Sequence, residues 1–284
     1  MANEAYLSGI NLDELMVNTK AATVYAAQEN SLYLSGGIVP MVSVPAGSMK
    51  AQVPVMGAVT ATVISAEAST GVDLDSKVMT DAQNHISLQL HAARSVVRDL
   101  GGVSTAEIGR ILGNAVAKSV DETVTGAMAS LTEQEKSGSD GAASTLAMAD
   151  IFEAVATIRG NGEGGELFGI VSTDAYAALM GDVGGSAFAG GDFQTAAMRN
   201  GFFGKIAGVT CFVSSYLNNT QIAGTHNPKM AIFSGDAMRG AISGGVNVEV
   251  ERRAAAVGFD VVASAAFGCS TIDANRGVII IDQS

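Results

Sequence analysis

The sequence has no tryptophan, only 5% aromatic residues and only 15% charged residues across its 284 positions, although 48% of it is hydrophobic. Its apolar weight falls on Ala, Val, Ile and Met. A monomer must cover itself with polar surface, so so little charge at this length implies that part of the exterior becomes an interface between subunits. Cysteine is scarce as well. Cys211 and Cys269 stand far apart with no CxxC pair and no third thiol, which disfavours a disulfide framework or a thiolate metal site and reads as two small buried hydrophobes in a reducing compartment. Lys and Arg number 16 against 28 Asp and Glu, a net charge of −12. That balance opposes the basic stripe that phosphate contacts require, and argues against direct nucleic-acid recognition. No window reaches the roughly 18 apolar residues of a spanning helix, because Pro40, Pro45, Pro54 and many hydroxyls interrupt the uncharged stretches. Asn3, Glu4, Asp13 and Glu14 leave the N-terminus without the basic flank and apolar run of a signal peptide, so the chain is expected in the cytoplasm.

Histidine, at three residues, limits acid–base and metal chemistry. His85 and His91 share a face of an extended stretch but lie about 20 Å apart at strand rise, too far for one ion. His226, in NNTQIAGTHNP, has no nucleophile motif beside it. Gly160 to Gly165 imitates a phosphate-cradling loop but follows a helix and precedes a strand, the reverse of the required order, and Glu163 and Glu166 would repel an anion, so it reads as a turn. Asp73 and Asp75 resemble the start of a calcium loop, yet Lys77 takes the next alternate ligand place and the later Gly and Glu are missing. These acids read as a solvated tip, or as a tip that meets a neighbour's Arg; Arg94, Arg98, Arg199, Arg252 and Arg253 are the candidate complements, against the alternative of ordinary surface charges. No catalytic, cofactor-binding or metal-ligating residue is assigned, and no cofactor is expected.

Read for organisation, residues 1–37 form an arm with one short helix over 12–30, opened by Asn11 and Glu14 and closed by Gly36 and Gly37. From Ile38 the texture is Val, Thr, Ser and Pro, with Val39, Val42, Val44, Val53 and Val55 predicting strand and the prolines predicting strand edges. Residues 65–80 are a polar tip. The return stroke alternates, Ile86, Leu88, Leu90 and Ala92 against His85, Ser87, Gln89 and His91, and completes a two-stranded arm that is marginal in water unless docked. Ser104 and Glu107 then open an amphipathic helix over 104–131, about 42 Å long. Its apolar stripe is Ile108, Ile111, Leu112, Ala115, Val116, Val120, Val124, Ala127, Met128 and Leu131, with Arg110, Asn114, Lys118, Asp121, Glu122 and Thr125 opposite. Residues 133–144 read as a linker. A helix capped by Asp150, strands over 167–172, 205–214 and 230–233, a helix over 172–180 and a Gly-rich passage at 181–191 make the middle third a mixed α and β lobe, and strands over 246–250 and 278–282 follow it.

This order of parts resembles the tailed-phage major capsid proteins of the Hong Kong 97 fold. The resemblance rests on VPMVSVPAGSMKAQVPV, on HISLQLHAARSVVRDL followed by GRILGNAVAKSVDETV, and on GKIAGVTCFVSSYL followed by MAIFSGDAMRGAI. It implies an α+β fold with an N-terminal arm (1–37), an extended E-loop with flanking strands (38–92), a peripheral domain (93–145 and 236–284) carrying the spine helix, and an axial domain (146–235). It further implies pentamers and hexamers closing an icosahedral head around double-stranded DNA, without sequence-specific DNA binding, in the virion after assembly in the host cytoplasm. Lys50, Asp73, Asp75, Lys77, Arg94, Arg98, Arg199, Arg252 and Arg253 become the inter-subunit contact candidates. The arm begins almost at once, which implies a separate scaffolding protein; portal and decoration proteins are further implied partners, and no membrane is. Lys50 and Lys77 flank the tip, and Asn247 and Asn275 are only loosely placed opposite them, so no covalent crosslink is expected. A nanocompartment shell like the encapsulins and a cytosolic enzyme with an unrecognised site are the alternatives.

Overall fold

The computed structural model describes residues 19, 21–23, 31, 33, 37–45, 47–56, 81–98, 105–136, 146–184, 205–217, 228–253, 255 and 258–282. The expected tip at 65–80, the capping residue Ser104, His226 and most of the N-terminal helix fall outside them.

Among the described residues, twelve strands and three helices of defined extent are arranged in two sheets and an arm. A four-stranded sheet runs in the order β1 (Met41–Val44), β10 (Met238–Arg253), β11 (Gly258–Thr271), β4 (Gln89–Arg98). Helix α1 (Thr105–Met128) packs along β11 and β4 on one face of it. A six-stranded sheet runs β5 (Thr132–Lys136), β12 (Gly277–Asp282), β9 (Pro228–Ser234), β6 (Leu167–Ser172), β8 (Val209–Ser214), β7 (Lys205–Ile206), with α2 (Met148–Gly160) and α3 (Thr173–Gly184) against it. The arm is the antiparallel pair β2 (Lys50–Met56) and β3 (Asp81–Ser87).

The six-stranded sheet is buried on both faces, and the two-residue period of its strands divides its side chains between two cores. Ile279 and Ile281 of β12, Ala231 and Phe233 of β9 and Ile170 of β6 join Val120, Val124 and Met128 of α1 in the main core. Val278 and Ile280, Met230 and Ile232, Leu167 and Val171 face the other way, onto Ile151 and Ile158 of α2 and Leu179 of α3. Strand β5 pairs with β12, β12 with β9 and β9 with β6, so strands from residues 132–136 and 277–282 share one sheet with those from 167–172 and 228–234.

The structure corrects five local readings. The return stroke is two strands. Leu88 interrupts it, donating its N–H to the Met49 carbonyl at 2.9 Å, and the buried parity reverses there. Ile86 and Leu88 are buried, but beyond the break His91, Ala93, Ser95 and Val97 turn inward while Leu90 is 73% exposed. A one-residue slip exchanges the faces of a strand, and it lets the chain leave the arm for the body. Residues 133–136, the start of the expected linker, belong instead to the edge strand β5, because a parallel partner in β12 compensates for the weak strand propensity of TEQEK. Helix α1 is rolled from the predicted orientation. Asp121 and Thr125 are buried while Ile111 is 57% exposed, because the N-terminal segment covers that flank. Ser31 Oγ donates to Asp121 Oδ1 at 2.6 Å, and Tyr33 OH lies 3.4 Å from Thr125 Oγ1. A Cβ at Gly109 would stand 2.7 Å from Ala22 Cβ, so this glycine admits the segment's close approach. Asp150 is the third residue of α2, not its cap, and accepts the Ala147 N–H at 2.7 Å. Finally, β11 was not anticipated at all. GFDVVASAAFGCST has too many small residues to read as strand, yet it is an interior strand, paired with both β10 and β4.

Candidate assembly surfaces

The arm is built from its root upward. Ala51, Ile86 and Leu88 are buried with Val44 and Ala241, and Val53 and Ala266 pack on them, so one apolar face of the ribbon sits on the outer face of the four-stranded sheet. Asn84 Nδ2 fastens it by donating to the Ile272 carbonyl at 3.1 Å. The opposite side of the ribbon, with Lys50, Gln52, Pro54, His85 and Ser87, is exposed. Pro54 lies within β2 where an edge strand tolerates the lost donor.

Of the charged contact candidates, Arg94 and Asp260 face each other across β4 and β11 and form a forked pair, with Arg94 Nε 2.7 and 2.9 Å from the two carboxylate oxygens. The guanidinium hydrogen bonds hold the Asp260 carboxyl below the usual range, and the carboxylate in turn raises Arg94. Arg94 is thus engaged within its own chain. Arg252 stacks over the Phe259 ring at 5.2 Å. Arg253 and Lys50 are exposed. Arg98 ends β4 opposite Gly258. Asp73, Asp75, Lys77 and Arg199 lie outside the described residues. The structure therefore brings Arg94, Arg98, Arg252 and Arg253 to the free end of the β4–β11–β10 sheet and leaves Lys50 apart at the root of the arm.

Sequence reasoning missed a charged junction between the two sheets. Glu163, in the α2–β6 turn, accepts the Gly165 N–H at 2.7 Å with one oxygen, and Ser234 Oγ and Arg276 Nη1, both at 3.1 Å, with the other. Arg276 also reaches Asp273 at 3.1 Å and Asp236 at 3.5 Å, and Arg239 reaches Asp236 at 2.7 Å. Arg159 donates to the Glu163 and Gly165 carbonyls at 2.8 and 2.9 Å. The glycine turn is closed on itself, and its Gly165 N–H has no room for a phosphate. The only signal in the sequence was Glu163 itself, an acid among glycines.

The Gly165 N–H foremost, then Ser234 and Arg276, holds the Glu163 carboxyl below the ordinary 4.5 against the opposing effect of burial. A depressed folded value adds stability that is fully present above the unfolded value and disappears as pH falls through the folded one. Glu163→Gln is expected to cost about 1.5–3 kcal/mol near neutral pH. Urea unfolding of wild type and variant should show that difference shrinking progressively below pH 4.5.

Burial pushes the thiols of Cys211 and Cys269 up to about 12, so both are inert packing groups at neutral pH. His85 is exposed, whereas His91 is half-buried, with Nδ1 2.7 Å from Ser119 Oγ beneath α1. Among the described residues no group of three or more His, Cys, Asp and Glu is placed to hold a metal ion, and no helix is long and apolar enough to cross a membrane.

No family model matches the sequence, and no curated protein does. Solved structures do match its fold. The capsid of Cyanophage P-SCSP1u is similar over 86% of this chain and 86% of its own, with a TM-score of 0.66 at 16% identity. Mycobacterium phage Che8 matches over 88% of each chain with a TM-score of 0.62 at 16% identity. The virus-like particle from Pyrococcus furiosus matches over 94% of this chain and 99% of its own, with a TM-score of 0.63 at 13% identity. These matches span 86%, 88% and 94% of the chain, and the chain has the fold common to these capsid structures, the Hong Kong 97 type.

Proposed function

We propose that this chain is the major capsid protein of a tailed bacteriophage, assembling into pentamers and hexamers that close an icosahedral head around double-stranded DNA. The observation that carries this reading is the whole-chain likeness in fold to phage capsids, reached independently of any sequence match. Phage capsids predominate among the matching structures, which favours a phage head over a cellular nanocompartment. An enzyme would need a convergent polar cluster in a pocket, and the polar clusters described above are saturated by their own ion pairs.

In this reading β2–β3 is the E-loop, α1 the spine helix, the four-stranded sheet the peripheral domain and the six-stranded sheet with α2 and α3 the axial domain. Arg98, Arg252 and Arg253 meet acids of neighbouring subunits, Asp73 and Asp75 among them. A separate scaffolding protein guides assembly in the host cytoplasm, and a portal protein, with or without a decoration protein, completes the head. An excess of acid repels packaged DNA and lets it slide. Isolated subunits are accordingly expected to leave duplex DNA unretarded in a gel at physiological salt; tight binding would count against this repulsion.

The decisive experiment is expression of the chain with and without its scaffolding protein, followed by negative-stain electron microscopy. Closed shells or capsomer rings support the reading, and their diameter separates a phage head from a nanocompartment. A small monodisperse species under both conditions removes it.

A further inference from the structure

Helix α2 ends in a turn that requires glycine. Gly162 holds φ at +88°, in the left-handed region. Its N–H donates to the Arg159 carbonyl at 3.0 Å and the Glu163 N–H donates to the Ile158 carbonyl at 3.4 Å, the paired bonds of a Schellman cap with Asn161 at the cap position. Asn161 is exposed, and its Nδ2 donates to the Asn275 carbonyl at 2.8 Å, in the short turn Ala274–Arg276 that leads into β12. One carboxamide thus ties the end of α2 to the passage between β11 and β12, beside the junction of Glu163 with Arg276.

The same two residues form an Asn–Gly pair, in which no side chain shields the glycine nitrogen from the carboxamide before it. In the reaction open to such a pair, Gly162 N bonds to Asn161 Cγ, the Cγ–Nδ2 bond breaks, and ammonia leaves with the proton from the Gly162 N–H. Water then opens the succinimide at either carbonyl, giving an aspartate or an isoaspartate at position 161. The cap opposes every part of this. Ring closure needs the Gly162 nitrogen on the same side of the Cα–C bond as Cβ, and Asn161, at ψ 4°, holds it away. The N–H that must give up its proton is bonded to Arg159, and the carboxamide that must turn toward it is bonded to Asn275.

We propose that Asn161 is a site of spontaneous deamidation, held closed by the α2 cap and released when the turn opens, and that its conversion loosens the junction between the two sheets. A carboxylate at 161 meets the Asn275 carbonyl with no proton to donate. An isoaspartyl linkage adds a backbone methylene, which moves Gly162 out of the cap and draws Glu163 away from the Gly165 N–H, Ser234 and Arg276. A turn that reacts while open therefore cannot close as it did before. The site is independent of whether the chain assembles.

The test holds the full chain at mildly alkaline pH, folded in buffer or unfolded in guanidinium chloride, and follows conversion at 161 by peptide mass spectrometry. Peptide mapping separates this pair from Asn200–Gly201, which lies outside the described residues. The folded chain should convert at least about tenfold more slowly than the unfolded one, because reaction waits on local opening. Arg159→Ala removes the donor to the Glu163 and Gly165 carbonyls, and Glu163→Gln loosens the same turn from its other end. Each should speed conversion of the folded chain at least about threefold, with circular dichroism verifying that the variant is folded. Asn161→Asp, equivalent to one product, should lower the denaturant midpoint. A chain that does not convert when unfolded overturns the site, and one that converts equally fast when folded overturns the shielding. Folded Arg159→Ala and Glu163→Gln converting at the wild-type rate overturn the cap as its cause. A midpoint for Asn161→Asp equal to wild type overturns the link to the junction.

Discussion

Phe233→Ala is expected to lower the unfolding free energy by about 3–5 kcal/mol, the usual cost of emptying a fully buried aromatic site. Phe233 is 0% exposed in β9, opposite Gly277 on one side and Phe168 on the other, and its ring enters the core that the six-stranded sheet shares with α1. The site cannot collapse easily. Main chain of β12 lies against it, with a Cβ at Gly277 standing only 3.0 Å from Phe233 Cβ, and strands buried on both faces cannot shift without disturbing the second core. Against a total of about 5–15 kcal/mol, such a loss leaves the fold marginal. Urea unfolding should show the midpoint falling with the slope unchanged. Leu90→Ala, at a residue 73% exposed, should stay within about 0.5 kcal/mol of wild type.

The second large effect is expected at Gly268, where the arm crosses β11. A Cβ there would overlap the carbonyl oxygen of Ser87 and stand 3.0 Å from its carbon and 3.2 Å from Leu88 Cα. These are backbone atoms, so no rotamer change relieves the contact. Either β11 bends or the arm lifts from its seat. Gly268→Ala should therefore cost about 3 kcal/mol and, because the arm is re-aimed at its root, should abolish shell formation even where the subunit still folds. Circular dichroism melting reports the first effect and electron microscopy the second. Gly126→Ala is the matched control. Nothing lies within 4 Å of its added Cβ in an exposed turn of α1, and helix propensity alone predicts a gain of about 0.5–1 kcal/mol. If Gly268→Ala assembled like Gly126→Ala, the arm's seat would not be what aims it.

The sequence by itself determined the parts whose local pattern and tertiary setting agree. Val53 and Ile86 announced the arm, Ile108 to Met128 announced a helix, and Leu167 to Ser172 and Val278 to Asp282 announced buried strands, because a run of β-branched and aliphatic residues satisfies strand propensity and burial together. Scarce charge and the order of these parts were enough to point to assembly. The tertiary structure decided what pattern alone leaves open. It made TEQEK a strand and GFDVVASAAFGCST the centre of a sheet, because a partner strand supplies hydrogen bonds that propensity does not record. It rolled α1 so that Asp121 went inside, because a polar segment from far away in sequence covers that flank. It broke the return stroke at Leu88, because the chain had to change sheets. It also engaged Arg94 with Asp260 and gathered Glu163 with Ser234 and Arg276, partners 166, 71 and 113 residues apart. Periodicity reports neighbours within a few residues, and it carries no information about which distant group meets a given face.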